Sequence, residues 1–234
     1  MTPFPRPLVL GHRGARREAT ENTLRSLARA VELGADGVEL DVQRSADGVP
    51  VVIHDDTLAR TTSATGRVSG LPWATIERST NATVPSLEQA LAWAAAAGAW
   101  VNIELKAAGV EEEAARIIRS FQLEGRIVVS SFEPTIICRI AEVAPELHRY
   151  LLANRWGPRT IREFVNCDAQ GLCLRDDGGL DVILSELDRE EIPVVVWTVN
   201  SPERIRHLLC RGVAGLISDD PGVAAAIRAD LDRC

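Results

Sequence analysis

The sequence of 234 residues has no apolar run long enough to cross a membrane. Its most apolar stretch, residues 90–103, is interrupted by Gly98 and stopped by Glu104, short of the ~20 residues a spanning helix needs. The N-terminus, MTPFPRPLVLGHRG, lacks a long apolar segment, so no signal peptide is expected. Excess positive charge is missing too. Lys and Arg total 26 against 33 Asp and Glu, a formal net charge of −7, which argues against a nucleic-acid surface or an anionic-membrane surface. A phosphate group then needs a local cationic site or a metal. Five cysteines (Cys138, Cys167, Cys173, Cys210, Cys234) are odd in number and include no CxxC pair. That favours reduced thiols in a cytoplasmic protein over a disulfide framework or a zinc site. No GxGxxG or P-loop motif supports an open nucleotide-binding sheet.

What is present is organised around residues 37–55, GVELDVQRSADGVPVVIHD. Val38, Leu40 and Val42 alternate with Glu39, Asp41 and Gln43, giving one apolar and one acidic strand face. Asp47-Gly48 is a strong hairpin signal. With those two residues at the turn tip, Val42 is expected opposite Ile53, and Asp41 opposite His54. Two carboxylates at i, i+2 point the same way, a poor arrangement for packing and a good one for holding a metal. An amphipathic edge hairpin with a solvated acidic face accounts for this stretch equally well when it is taken alone.

Around it the chain alternates strands and helices. Strands are expected at 8–10, 37–42, 51–54, 100–105, 126–131, 148–152, 171–174, 193–199 and 215–218. A helix opens near residue 24, with Asn22 or Thr23 as N-cap and Gly34 past its end; others follow at 86–97, 110–121, 134–143, 158–165, 180–190, 202–210 and 223–231. Residues 56–85 form a polar loop, expected to be a lid or small insertion, with Leu71-Pro72-Trp73 its apolar cluster. The 45–48 link is too short for a parallel crossover, so strand 51–54 runs antiparallel and leaves eight parallel strands. Eight β/α units in a chain this long indicate an α/β fold, a single (β/α)8 TIM-barrel domain over 1–234 with a hairpin and short insertion after strand 2. Its first and last strands should be neighbours.

Barrel sites form at the carboxyl ends of strands. The polar residues there are His12, Arg13, Glu39, Asp41, Glu104, Lys106, Ser130, Ser131, Trp197 and Asp219, with His54 returning over the same mouth. Three carboxylates without clustered thiols suit one hard divalent cation, Mg2+ or Ca2+. Two histidines can serve as acid and base, and Arg13 with Lys106 can bind anionic oxygens. Together they suggest cleavage of a phosphate ester. Asp219 stands before Asp220-Pro221, where capping the last helix is an alternative role. His148 is expected to be structural and His207 on the surface.

The ordered set GHRGA, ENT, VELDV, VVIHDDTLARTT, NIELK, WTVN and ISDDP resembles the glycerophosphodiester phosphodiesterases over nearly the whole chain, in the short-insertion, cytosolic bacterial form. Thr20 replaces a Pro usual before ENT, and Ser86 a commoner Thr. The resemblance implies that His12 and His54 are the acid/base pair and that Glu39, Asp41 and Glu104 hold the metal. It also implies that Arg13 and Lys106 contact phosphate and that Trp197 lines the glycerol pocket; Asn22 is a further substrate-binding candidate, with capping of the first helix its alternative role. The implied reaction releases sn-glycerol 3-phosphate and an alcohol, a step of glycerol and lipid metabolism on a small-molecule substrate, without nucleic acid or stable membrane insertion. Which histidine is acid stays open, as does a first attack by a neighbouring substrate hydroxyl. A lysophospholipase D or sphingomyelinase D-like activity is the alternative, with Leu71-Pro72-Trp73 its one hint. A non-catalytic phosphate-binding barrel would normally have lost a histidine or a ligand, and none is missing.

Overall fold

The computed structural model describes residue 4 and residues 6–233. Its first elements are β1 (Leu8–His12), α1 (Leu24–Glu32), β2 (Gly37–Arg44), β3 (Pro50–Val52), α2 (Trp73–Ser79), α3 (Leu87–Ala97), β4 (Trp100–Leu105) and α4 (Glu111–Ser120). Then follow β5 (Ile127–Ser131), α5 (Pro134–Val143), β6 (His148–Ala153), α6 (Pro158–Asn166), β7 (Gly171–Arg175) and α7 (Leu180–Arg189). The chain finishes with β8 (Val194–Trp197), α8 (Pro202–Arg211), β9 (Gly215–Ser218) and α9 (Pro221–Leu231). Strands β1, β2 and β4 to β9 are parallel, and β1 pairs with both β2 and β9, closing the ring. Leu8 lies opposite Gly215 and Gly11 opposite Ser218, so the first and last strands are neighbours, as the strand count required. The fold is a (β/α)8 barrel with a hairpin and a short insertion after its second strand.

The helices start and stop on local chemistry. Thr23, not Asn22, caps α1: its hydroxyl accepts from the Ser26 N–H at 3.2 Å. Gly34 follows the helix at φ +95°. Ser86 caps α3 in the same way, and Gly98 ends it at φ +63°. The helices cover the outside of the barrel with fully buried side chains such as Leu27 of α1 and Leu87 and Leu91 of α3. Each such side chain is worth ~1.5–3 kcal/mol of transfer free energy.

Inside the barrel, polarity changes along the axis. At the amino ends of the strands Leu8, Trp100 and Tyr150 pack with Phe4, whose ring meets Trp100 edge-on at 5.2 Å. Two and four residues further along the same strand faces come Leu10 and His12 on β1, and Asn102 and Glu104 on β4. The period of two therefore carries each strand from an apolar floor to a polar mouth.

The structure corrects two expectations. Val42 pairs with Val52, and Gln43 with Val51, so the hairpin is one residue out of the expected register. Only Gly48 of the turn pair takes a positive φ (+87°), and the loop spans three residues between Ser45 and Val49. Ser45 fixes it, its hydroxyl donating to Asp47 and accepting from the Val49 N–H. A Gly-terminated three-residue loop replaces the two-residue turn, and a slip of one residue reverses facing in a ladder. His54 still reaches the mouth because the strand ends at Val52 and the chain leaves the sheet, with the Ile53 N–H bonded to the Asp41 carbonyl.

The second correction concerns residues 56–85. They contain α2 and a short 3-10 turn, Val68–Gly70, packed on a small cluster of Val51, Ile53, Leu58, Val68, Ile76 and Val84. Leu71 and Trp73 pack against that cluster. Helix α2 has only seven residues, WATIERS, too few to establish a helical period in the sequence.

Barrel closure depends on strand approach at Gly37, where a Cβ would lie 1.9 Å from the Trp100 carbonyl oxygen. Gly37→Ala is expected to cost more than about 2 kcal/mol in denaturant unfolding, whereas Gly125→Ala, with open space around it, should stay within about 1 kcal/mol. Equal costs for the two would show that this contact does not limit the barrel.

Candidate active site

A cavity of about 190 Å³ opens at the carboxyl ends of the strands. One wall carries His12, Arg13, Glu39, His54, Asn102, Glu104 and Lys106; the other is Phe132, Leu152, Trp197 and Ile217. Ligand oxygens of Glu39, Asp41 and Glu104 all lie within 4.8 Å of one another. They converge because Glu39 and Asp41 are i, i+2 on β2 and Glu104 is the register partner of Asp41 on β4.

Three carboxylates so close repel one another. Burial, then Asp41 and Glu104, push the Glu39 carboxyl well above its ordinary value. Burial and Asp41 raise Glu104 likewise. Two cations offset this. Lys106 Nζ is 2.7 Å from Glu104 and 3.4 Å from Asp41. Arg13 donates its backbone N–H to Glu39 at 3.0 Å and sets Nε 3.2 Å from Asp41. Burial disfavours both cations, but Asp41 and the neighbouring glutamates outweigh it and raise both. Asp41 Oδ1 is buried and makes no well-formed hydrogen bond, its facing group being the Lys106 ammonium at 3.4 Å.

Each histidine is anchored through Nδ1. His12 Nδ1 meets Asp219 at 2.6 Å, and His54 Nδ1 meets Asp55 at 2.7 Å. Such a bond selects the tautomer and leaves Nε2 for proton transfer. Burial opposes ionisation of Asp219, but His12, Asn200 and Arg16 hold it at about 2. His54 is held below its usual value, first by burial. Asn200 supports the first pair, its amide donating to Asp219 at 2.8 Å.

His12, Arg13, Glu39, His54, Glu104, Lys106 and Trp197 thus share one cavity, with Asp41 beneath it. Asn22 does not line it. It is buried behind Asp41, donating from Nδ2 to Asp41 Oδ2 at 2.9 Å and accepting the Asp41 N–H at 3.3 Å, which uses both ends of the amide. Trp197 donates its indole N–H to the Cys173 carbonyl and meets Phe132 edge-on at 5.6 Å. Asp219 does not cap the last helix; Asp220 does, accepting the Val223 N–H. The sequence offered a weak signal for Asp219, a second carboxylate beside the cap, and none for Phe132.

The profile of the Glycerophosphoryl diester phosphodiesterase family matches residues 12–223. The chain belongs to this family. It is accordingly a phosphoric diester hydrolase. It is 31% identical over 229 residues to the glycerophosphodiester phosphodiesterase of Caldanaerobacter subterraneus subsp. tengcongensis, covering 92% of this chain and 94% of that protein. Its fold resembles the glycerophosphodiester phosphodiesterase of Agrobacterium tumefaciens, with TM-score 0.79, 28% identity and coverage of 94% and 99%. It also resembles an Oleispira antarctica phosphodiesterase solved with its product sn-glycerol-3-phosphate, with TM-score 0.81, 27% identity and coverage of 98% and 97%. Among the described residues no helix is long and apolar enough to cross a membrane.

The raised Glu39 carboxyl has a consequence for stability. A carboxyl that binds its proton more tightly in the native state costs stability once pH rises above the ordinary carboxylate range of ~4. Glu39→Gln keeps an acceptor for the Arg13 N–H and removes one repelling charge. In chelator at pH 7.5 the variant should melt a few degrees above the parent, and the difference should vanish near pH 4. A variant that melts lower at pH 7.5 would show that the repulsion is not felt.

Proposed function

We propose that the chain hydrolyses glycerophosphodiesters to sn-glycerol 3-phosphate and an alcohol. The observation that carries this is the pair of anchored histidines, on different elements, over a cavity with the carboxylate trio and two cations. Arg13 and Lys106 bind the phosphoryl oxygens. Trp197 and Phe132 form the wall against which the glycerol carbons rest, and Asn22 positions Asp41. One histidine takes the proton of the attacking water, or of a neighbouring substrate hydroxyl whose cyclic phosphate a water then opens, as the new P–O bond forms. The other gives a proton to the leaving alkoxide as the old P–O bond breaks. Asp219 and Asp55 keep both rings aligned for this.

The trio fits a divalent cation, Mg2+ or Ca2+. All donors are oxygen, and the buried Asp41 Oδ1, faced by the Lys106 ammonium at 3.4 Å, keeps hydrogen-bonding capacity unused. When bound, such an ion supplies charge neutralisation and polarisation of a phosphoryl oxygen. The whole chain works in this reading as one domain, and the 56–85 insertion acts as a lid tied to the mouth through Arg60. Cys138, Cys167, Cys173 and Cys210 are free thiols, which supports a reducing, cytoplasmic setting. The lipid-cleaving alternative loses its hint, because Leu71 and Trp73 are engaged in the insertion's own packing.

Activity on glycerophosphocholine, lysophosphatidylcholine and a p-nitrophenyl phosphodiester tests this. Glycerophosphocholine should turn over fastest of the natural pair. His12→Ala and His54→Ala should each lower kcat on it by ~10²-fold or more. The acid variant should lose far less on the p-nitrophenyl ester, whose phenolate leaves without a proton. Equal large losses on both substrates for both variants would remove the acid–base assignment, and preference for the lysolipid would favour the alternative.

A further inference from the structure

The histidines approach the mouth from β1 and from beyond β3, and nothing in the barrel ladder joins them directly. A chain of ion pairs does. Asp219, on His12, has Arg16 Nη1 at 3.6 Å; Arg16 Nη2 is 2.9 Å from Glu21 Oε2. Asp55, on His54, has Arg60 Nε at 2.5 Å; Arg60 Nη2 is 2.6 Å from Glu21 Oε1. The same Oε1 accepts from Arg13 at 2.8 Å. Glu21, the acid of the ENT motif, has no part in the reaction as described above. Yet one carboxylate, 8% exposed, holds three guanidiniums, and each leads to a different working group.

Stability alone is a poor reason for this arrangement. Surface ion pairs contribute little, and buried ones barely offset their desolvation. Burial raises the Glu21 carboxyl, but Arg60, Arg13 and Arg16 outweigh it and hold it at about 2, so it stays ionised. An Arg side chain is flexible, and one gripped at both ends is not.

We propose that Glu21 is a positioning residue that ties the two histidine–aspartate pairs and Arg13 into one frame across the mouth. This rests on His12 and His54 being the acid and base. Without the Glu21 charge, Arg16 and Arg60 each lose one anchor, and Asp219 and Asp55 each lose a fixed neighbour. Both rings then loosen together, although Glu21 touches neither.

The test uses the full chain with 15N-labelled histidine, the His12 and His54 ring signals being assigned from His12→Ala and His54→Ala. Glu21→Gln should move both Nδ1–H signals and lower kcat on glycerophosphocholine about 10-fold or more. Arg60→Gln, which cuts one arm at a half-exposed side chain, should move the His54 signal and leave that of His12 in place. Adding Glu21→Gln to Arg60→Gln should then move only His12 further. Ring signals unmoved in Glu21→Gln would overturn the proposal. If that variant does not fold, an Arg60→Gln protein with the His54 signal in place would overturn it equally. Full turnover in His12→Ala and His54→Ala would instead sink the acid–base reading and leave the ring signals still reporting the tie.

Discussion

Mutual repulsion of Glu39, Asp41 and Glu104 is the constraint on which the mouth of this barrel depends. Three carboxylates whose ligand oxygens lie within 4.8 Å, largely out of water, cannot all stay ionised unaided. Everything near them answers that charge. Lys106 sits against two of the three, Arg13 reaches Glu39 with its backbone and Asp41 with its side chain, and Asn22 donates to Asp41 from below. A buried charge cluster of this kind is costly as structure. The proposed divalent cation accounts for that cost, and an all-oxygen donor set suits a hard ion.

The barrel makes the cluster possible. Its inward positions change from apolar to polar along each strand, so one fold supplies a dry, packed floor and a charged rim. The floor holds Phe4, Trp100 and Tyr150; the rim holds the carboxylates and histidines. Side chains from β1, β2, β4, β8 and the turns after β3 and β9 meet there, although they are spread over most of the sequence. The aspartate behind each histidine turns a flexible ring into an oriented one, and a single glutamate, through its arginines, joins the two halves.

Much of this was legible in the sequence because it rests on period and order. The alternation in VELDV placed both carboxylates on one face, and the too-short link after β2 forced the antiparallel strand and the count of eight. Register was less legible. Asp47-Gly48 looked like a two-residue turn, but Ser45 captures Asp47 and sets a three-residue loop. Asn22 and Thr23 were interchangeable as caps until the left-handed φ of Asn22 (+56°) turned its amide toward Asp41. Asp219 was legible as a mouth residue but not as the partner of His12, and Glu21 was not legible at all, for a different reason. Their partners, His12 at a separation of 207 residues and Arg60 at 39, are set by tertiary closure, which no local pattern records.

The central claim is that a divalent cation completes a site that the carboxylates alone leave overcharged. The direct measurement is titration of chelator-treated protein with Mg2+ or Ca2+ while glycerol 3-phosphate release from glycerophosphocholine is followed. The account predicts no turnover before the ion is added and a rise that saturates at one ion per chain. Full turnover in the presence of chelator would contradict it.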